Sequence, residues 1–269
     1  MSDILLLETN LEGHLVQSDD RRTQLDLFKS FVRSLPSGAD VFHERIETVG
    51  ALQNVLAKSV AQSSRKRART TAGGDRVHPV RVRFVHINAH GDFDGVALRV
   101  GDGERYAHPA EISKAFSPLK NAGVRAIVLS ACQSGSNEKL ARAILKRSGV
   151  EAVVGYPETA SDDICAMAEQ MLYFQLLGKK RVPIWKAVRC VNDALVLFGV
   201  KSDKLLSCWV LNEKGETEAY PCWEGAEDID IADQESRSAL LTLKGCFPER
   251  GIIGRENLKL ARQIMKVLL

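Results

Sequence analysis

Residues 80–91 read VRVRFVHINAHG and residues 124–135 read VRAIVLSACQSG. In the first stretch apolar side chains recur at nearly every second position from Val80 to Ala89, the period of a strand with unlike faces. In the second, Val124 to Ser130 is almost continuously apolar, as expected of a strand buried on both faces of a parallel sheet. Each run stops at residues that carry chemistry. The first stops at His90-Gly91 and the second at Ala131-Cys132.

Working outward, the chain alternates strands with helices. Ile4–Leu7 reads as a short buried strand, followed by a polar loop through Asp19 and Asp20. Leu25, Phe28, Phe31, Val32 and Leu35 share one helix face, and Pro36 and Gly38 stop that helix. A strand over Asp40–Ile46 and a helix from about Leu52 to Gln62 complete a β-α-β-α opening, the start of a parallel sheet. Residues 63–75 (SSRKRARTTAGGD) lack an apolar face and read as a mobile basic surface loop; a nuclear-localisation or nucleic-acid element is the other reading of Arg65-Lys66-Arg67. Gly95 and Gly101 flank Val96–Val100 as a small hairpin. Pro109 opens a helix to Phe116, and Asn137 caps the helix carrying Leu140, Ile144 and Leu145. Further strands are expected over Glu151–Tyr156 and Leu206–Leu211, with helices ending at Gly178 and Gly199 between them. A last helix begins near Arg255. The expected architecture is a mostly parallel six-stranded α/β sheet with helices on both faces. The domain spans residues 1–212, and a C-terminal extension, 213–269, ends in that last helix and packs on the same domain.

Composition narrows the class. Of 269 residues, 45% are hydrophobic, too many for a disordered chain, and a core of this size forms without disulfides or metal. The 37 basic and 34 acidic residues nearly cancel, so charge alone does not direct the protein to nucleic acid. The six cysteines form no C-x-x-C pair, and such scattered cysteines predict free thiols in a reducing cytosol, hence a cytoplasmic protein. The N-terminus has no basic region and no apolar run of signal-peptide length, and no stretch approaches a membrane span. No metal site or cofactor is expected. Neither G-x-G-x-x-G nor G-x-x-x-x-G-K-[ST] occurs, which argues against a nucleotide-binding domain.

In an open parallel sheet, ligands bind beyond the carboxyl ends of the strands. If the strands ending at His90 and Cys132 are neighbours, a thiol and an imidazole face one crevice, as thiol nucleophilic catalysis requires. Gly91 has no side chain, so its N–H can approach a substrate carbonyl. With the N–H of Cys132 it would form a two-donor oxyanion hole, which the N-terminus of the following helix would reinforce. A buried structural thiol at Cys132 and a capped strand-end histidine at His90 are the alternatives taken singly. His86 shares the face of His90, either to orient it or as a hydrogen-bonded strand histidine.

This order of motifs, an apolar strand ending in His90-Gly91 and some forty residues later one ending in S-A-C132-Q-S-G, resembles the paired signature of clan CD cysteine peptidases. These include caspases, separases, gingipains and CHAT domains, and the S-A-C-Q-S-G form is closest to CHAT. The resemblance covers about residues 80–200. It implies a three-layer caspase-like (caspase-hemoglobinase) sandwich and a cysteine endopeptidase in which Cys132 attacks the scissile carbonyl and His90 protonates the leaving amine. It also implies P1 recognition by the loop after the strand that follows the Cys helix. There Glu158, Asp162 and Asp163 would favour Arg or Lys; Asp162 serves equally as part of a T-x-x-D helix cap begun by Thr159. The implied partners are a protein substrate and a separate regulator or sensor, in a bacterial (antiviral) defence or cell-death pathway, with no direct nucleic-acid or membrane partner. The rival reading is a catalytically silent caspase-like module acting as an interaction or regulatory subunit.

Overall fold

The computed structural model describes residues 3–9, 18–35, 37–69, 82–92, 95–101, 106–159, 161–178 and 182–220. The strands are β1 (Asp3–Thr9), β2 (Val41–Ile46), β3 (Val82–Asn88), β4 (Gly91–Asp92), β5 (Gly95–Val96), β6 (Ala126–Ser130), β7 (Ala152–Gly155), β8 (Ser207–Leu211) and β9 (Thr217–Tyr220). The helices are α1 (Ser18–Ser34), α2 (Val49–Arg69), α3 (Pro109–Ala115), α4 (Glu138–Ser148), α5 (Asp162–Leu176) and α6 (Ile184–Leu197). One sheet runs β2-β1-β3-β6-β7-β8-β9; its first five strands are parallel, and β8 and β9 are antiparallel. The order reverses direction between β1 and β3, so β3 and β6 lie side by side near the centre.

Two apolar cores, one on each face, follow from strand alternation. Ile4, Phe84, Val128 and Val154 pack with Met171 and Leu172 of α5 and Val188, Val191 and Leu195 of α6. The residues between them, Leu5, Val85, Ile127, Leu129 and Val153, pack with Leu52 and Leu56 of α2, Ile112 of α3, and Leu140 and Ile144 of α4. All five residues of β6 are buried, as a strand covered on both sides must be. Arg125, just before β6, is 4% exposed. It makes a two-pronged ion pair with Glu151 and donates to the Val182 carbonyl, closing the end of the sheet opposite the strand C-termini.

Four expectations are corrected. The sheet has seven strands, because the polar run Thr217–Tyr220, which lacks an apolar period, pairs with β8 through a turn at Asn212–Glu216. It therefore crosses position 212. The second helix continues to Arg69, because Ser63–Arg69 contains no Gly or Pro to stop it, so part of the expected basic loop is helical. The hairpin after β3 is far smaller than Val96–Val100 implied, only two residues per strand. Helix α5 takes Ser161 as its N-cap, without a side-chain capping bond, rather than a box begun by Thr159. The helix expected from about Arg255 and the rest of the extension beyond Tyr220 lie outside the described residues, as does the remainder of the basic loop.

Candidate active site

Beyond the ends of β3 and β6 the register continues. Asn88 opposes Ser130, and the Ala89 N–H donates to the Ser130 carbonyl at 3.1 Å. His90 follows the end of β3 by two residues, and Cys132 follows the end of β6 by two residues, the latter within a turn. His90 is exposed and Cys132 half-buried, so both are open to the crevice.

The β4–β5 hairpin determines which way Gly91 faces. The Ala97 N–H donates to the His90 carbonyl at 2.8 Å, and Gly91 opposes Val96. In an antiparallel ladder that combination makes Gly91–Val96 a non-hydrogen-bonded pair, which keeps the Gly91 N–H out of the hairpin. Backbone N–H groups alternate along an extended chain. The N–H of Ala89 donates to the Ser130 carbonyl of β6, and that of Gly91, two residues on, is not taken up by the hairpin.

Residues 131–136 form the tight turn that carries Cys132. Gln133 has φ 59°, a left-handed conformation that is uncommon for a side-chain-bearing residue and persists only when its surroundings enforce it. Those surroundings are explicit. The Ser134 hydroxyl lies 2.7 Å from the Ala131 carbonyl and 3.0 Å from that of Leu129. The Gly135 N–H donates to the Tyr156 carbonyl at 2.8 Å, and the Trp209 indole N–H donates to the Gly135 carbonyl at 2.7 Å. A Cβ on Gly135 would lie 2.6 Å from the Gly155 oxygen, and one on Gly155 would lie 2.6 Å from the Ser134 hydroxyl. Two glycines from separate segments thus allow the turn to seat on the end of β7. Asn137 then caps α4 by accepting the Leu140 N–H at 2.9 Å. Gly135, Gly155 and Trp209 were not singled out by sequence, because their roles exist only where three strands meet.

His86 is not an orienter of His90. Its ring is 2% exposed, stacked on Tyr173, with Nδ1 3.1 Å from the Tyr173 hydroxyl and Nε2 3.4 Å from Glu169. Burial pushes its pKa down to about 3, so the imidazole is neutral at pH 7. Burial raises the Tyr173 phenol well above its ordinary value, so Tyr173 is protonated and donates to Nδ1. Nε2–H then faces Glu169, whose other oxygen lies 3.5 Å from the Tyr156 hydroxyl. This chain joins β3 to α5 and the residue after β7.

Of the acidic residues in the loop after β7, Glu158 is exposed, and its backbone carbonyl faces the Gln133 N–H at 3.5 Å. Asp162 and Asp163 open α5, and their side chains lie outside the described set. Among the described residues, Cys165 and Cys190 sit in helices and Cys208 in a strand. No helix among them is long and apolar enough to cross a membrane.

A family model of the CHAT domain matches residues 12–195. No curated protein sequence matches the chain. Among solved structures, a secreted C11 cysteine protease from Bacteroides thetaiotaomicron, in complex with an irreversible peptide inhibitor, is similar with a TM-score of 0.50 at 11% identity. The match covers 77% of this chain and 66% of that one, so the chain spans slightly less than two thirds of that protease's length. A further structure of a secreted C11 cysteine protease from the same bacterium gives a TM-score of 0.48 at 11% identity, covering 78% and 66%. At such identity the likeness concerns the fold. With the domain model matched over well more than half of its length, on a mostly parallel α/β sheet of caspase-like C11 form, the chain belongs to the CHAT domain family.

Proposed function

We propose that this protein is a cysteine endopeptidase that cuts a specific partner protein in a regulated bacterial defence or cell-death pathway. The observation that supports the reading is the β3–β6 register, in which Asn88 opposes Ser130, so that His90-Gly91 and Cys132 follow the ends of neighbouring parallel strands. His90 takes up the Cys132 thiol proton, the sulfur attacks the scissile carbonyl carbon, and the carbonyl oxygen takes up negative charge before the N–H groups of Gly91 and Cys132. Collapse breaks the C–N bond, and His90 protonates the departing amine. Water, deprotonated by His90, then attacks the thioester, releasing the acid and restoring the thiol. Glu158, Asp162 and Asp163 favour a basic P1 side chain. Supporting this, their loop is joined to the nucleophile turn through the Gln133 and Glu158 backbones.

A positional peptide library tests the proposal. Wild type is expected to cut selectively after Arg or Lys, while Cys132→Ala and His90→Ala fold normally and cut at least 1,000-fold more slowly, on the order of the loss of a nucleophile or its partner. Full cleavage by either variant refutes the mechanism. Cleavage after another residue type discards the acidic P1 site alone. A folded wild type that cuts neither the library nor any partner protein, and whose Cys132 ignores acylating probes, is the catalytically silent module instead.

A further inference from the structure

Resting on that reading, we infer that Trp209 is a positioning residue for Cys132, through which strand β8 holds the nucleophile turn in its competent form. Gly135 stands three residues after Cys132 and is buried. Its N–H is held by the Tyr156 carbonyl and its C=O by the Trp209 indole, at 2.8 and 2.7 Å. One residue of the turn is thereby gripped from the end of β7 and from the middle of β8.

The remaining bonds of the turn are different in kind. Those of Ser134 run back to Leu129 and Ala131 within the same segment, and that of Gln133 to Glu158 is long, at 3.5 Å. Internal bonds make the turn compact without setting its height above the sheet. The left-handed Gln133 relaxes readily to an ordinary conformation unless the turn is clamped on its far side. Trp209 supplies that clamp from β8, where it opposes Val153 of β7 in the ladder. Removing only the indole N–H leaves the buried Gly135 carbonyl without this donor. The turn then rises toward water to satisfy it, carrying Cys132 out of line with His90 and Gly91.

The prediction sets two readouts in opposite directions. In Trp209→Phe, which keeps a large ring and loses the N–H, kcat on the best library peptide falls at least tenfold while KM stays within twofold. Alkylation of Cys132 by iodoacetamide, followed by mass spectrometry, rises at least threefold. Cys208, fully buried in β8, stays protected and reports that the domain has not opened globally. Gly149→Ala, which strains the far end of α4 without touching β8, leaves both Cys132 readouts unchanged. Should the Phe variant not fold, Trp209→Leu, which likewise lacks a donor, carries the same comparison. Unchanged alkylation of Cys132 in a folded variant overturns the inference, whether or not the protein cuts peptides. Unaltered cleavage by Cys132→Ala overturns only the catalytic reading on which kcat depends.

Discussion

Gly135→Ala isolates the close approach that seats the nucleophile turn. The added methyl would lie 2.6 Å from the Gly155 oxygen and 2.7 Å from the carbonyl carbons of Gly155 and Tyr156, all backbone atoms. Relief to an ordinary contact moves the turn about 0.7 Å away from β7. Overpacking of this kind costs about 1–3 kcal/mol, and stretching the buried Gly135–Tyr156 hydrogen bond adds about 1–3 kcal/mol. At about 2–4 °C per kcal/mol for a domain of this size, melting falls by roughly 4–24 °C. A displacement approaching 1 Å at a nucleophile costs about 10- to 100-fold in kcat. The assay is kcat and KM on a library peptide at 20 °C, where the variant is still folded, alongside thermal denaturation. Gly149→Ala is the control. Gly149 also has a positive φ, 67°, at the C-cap of α4, but a Cβ there meets nothing within 4 Å. That variant loses about 1 kcal/mol to backbone strain alone and keeps its kcat. A Gly135→Ala protein with kcat within twofold and a melting temperature within 2 °C of wild type refutes the reasoning.

The remaining predictions concern the core. Because burial holds the folded-state pKa of His86 at about 3, below the unfolded value near 6.5, only the unfolded chain gains that proton as pH falls. The stability this residue contributes is present above pH 6.5 and is lost progressively toward pH 3. From pH 7 to 5 the loss is about 2 kcal/mol. Urea denaturation at both pH values should show His86→Gln with a pH dependence smaller by that amount, and equal slopes would refute it. Asn192, fully buried, accepts the Leu206 N–H at 2.9 Å and donates to the Leu206 carbonyl at 2.8 Å, imitating a strand partner. Asn192→Ala leaves two backbone groups unpaired and should cost about 2–4 kcal/mol in urea denaturation without changing kcat.

Much of the fold was legible because one kind of force wrote it into both sequence and structure. Apolar side chains at nearly every position in Ala126–Ser130 state that both faces of that strand are covered, whereas Val82–Asn88 reads as a strand with unlike faces and is covered on both as well. Local signals such as Pro109 and Asn137 mark where helices begin, because their effect is confined to one turn of backbone. Where a segment is stabilised by what lies across from it, the reading failed. Thr217–Tyr220 has no apolar period of its own and becomes a strand only because β8 offers an edge. Thr159 looks like a helix cap, yet α5 begins later, after a loop whose course is tied to the Cys132 turn.

The candidate site divides along the same line. The sequence by itself determined the fold class, the identity of His90, Gly91 and Cys132, and their place at strand ends, since strand length and the residues that stop a strand are local properties. It left His86 between two readings, which the tertiary structure resolved by surrounding it with Tyr173 and Glu169. Only the tertiary structure decided that β3 and β6 are neighbours in register. It alone also decided that Gly135 rests on Gly155 under the indole of Trp209. These relations join residues 20 to 75 positions apart, and no local pattern encodes them, because they arise only when strands from separate segments pack at backbone contact.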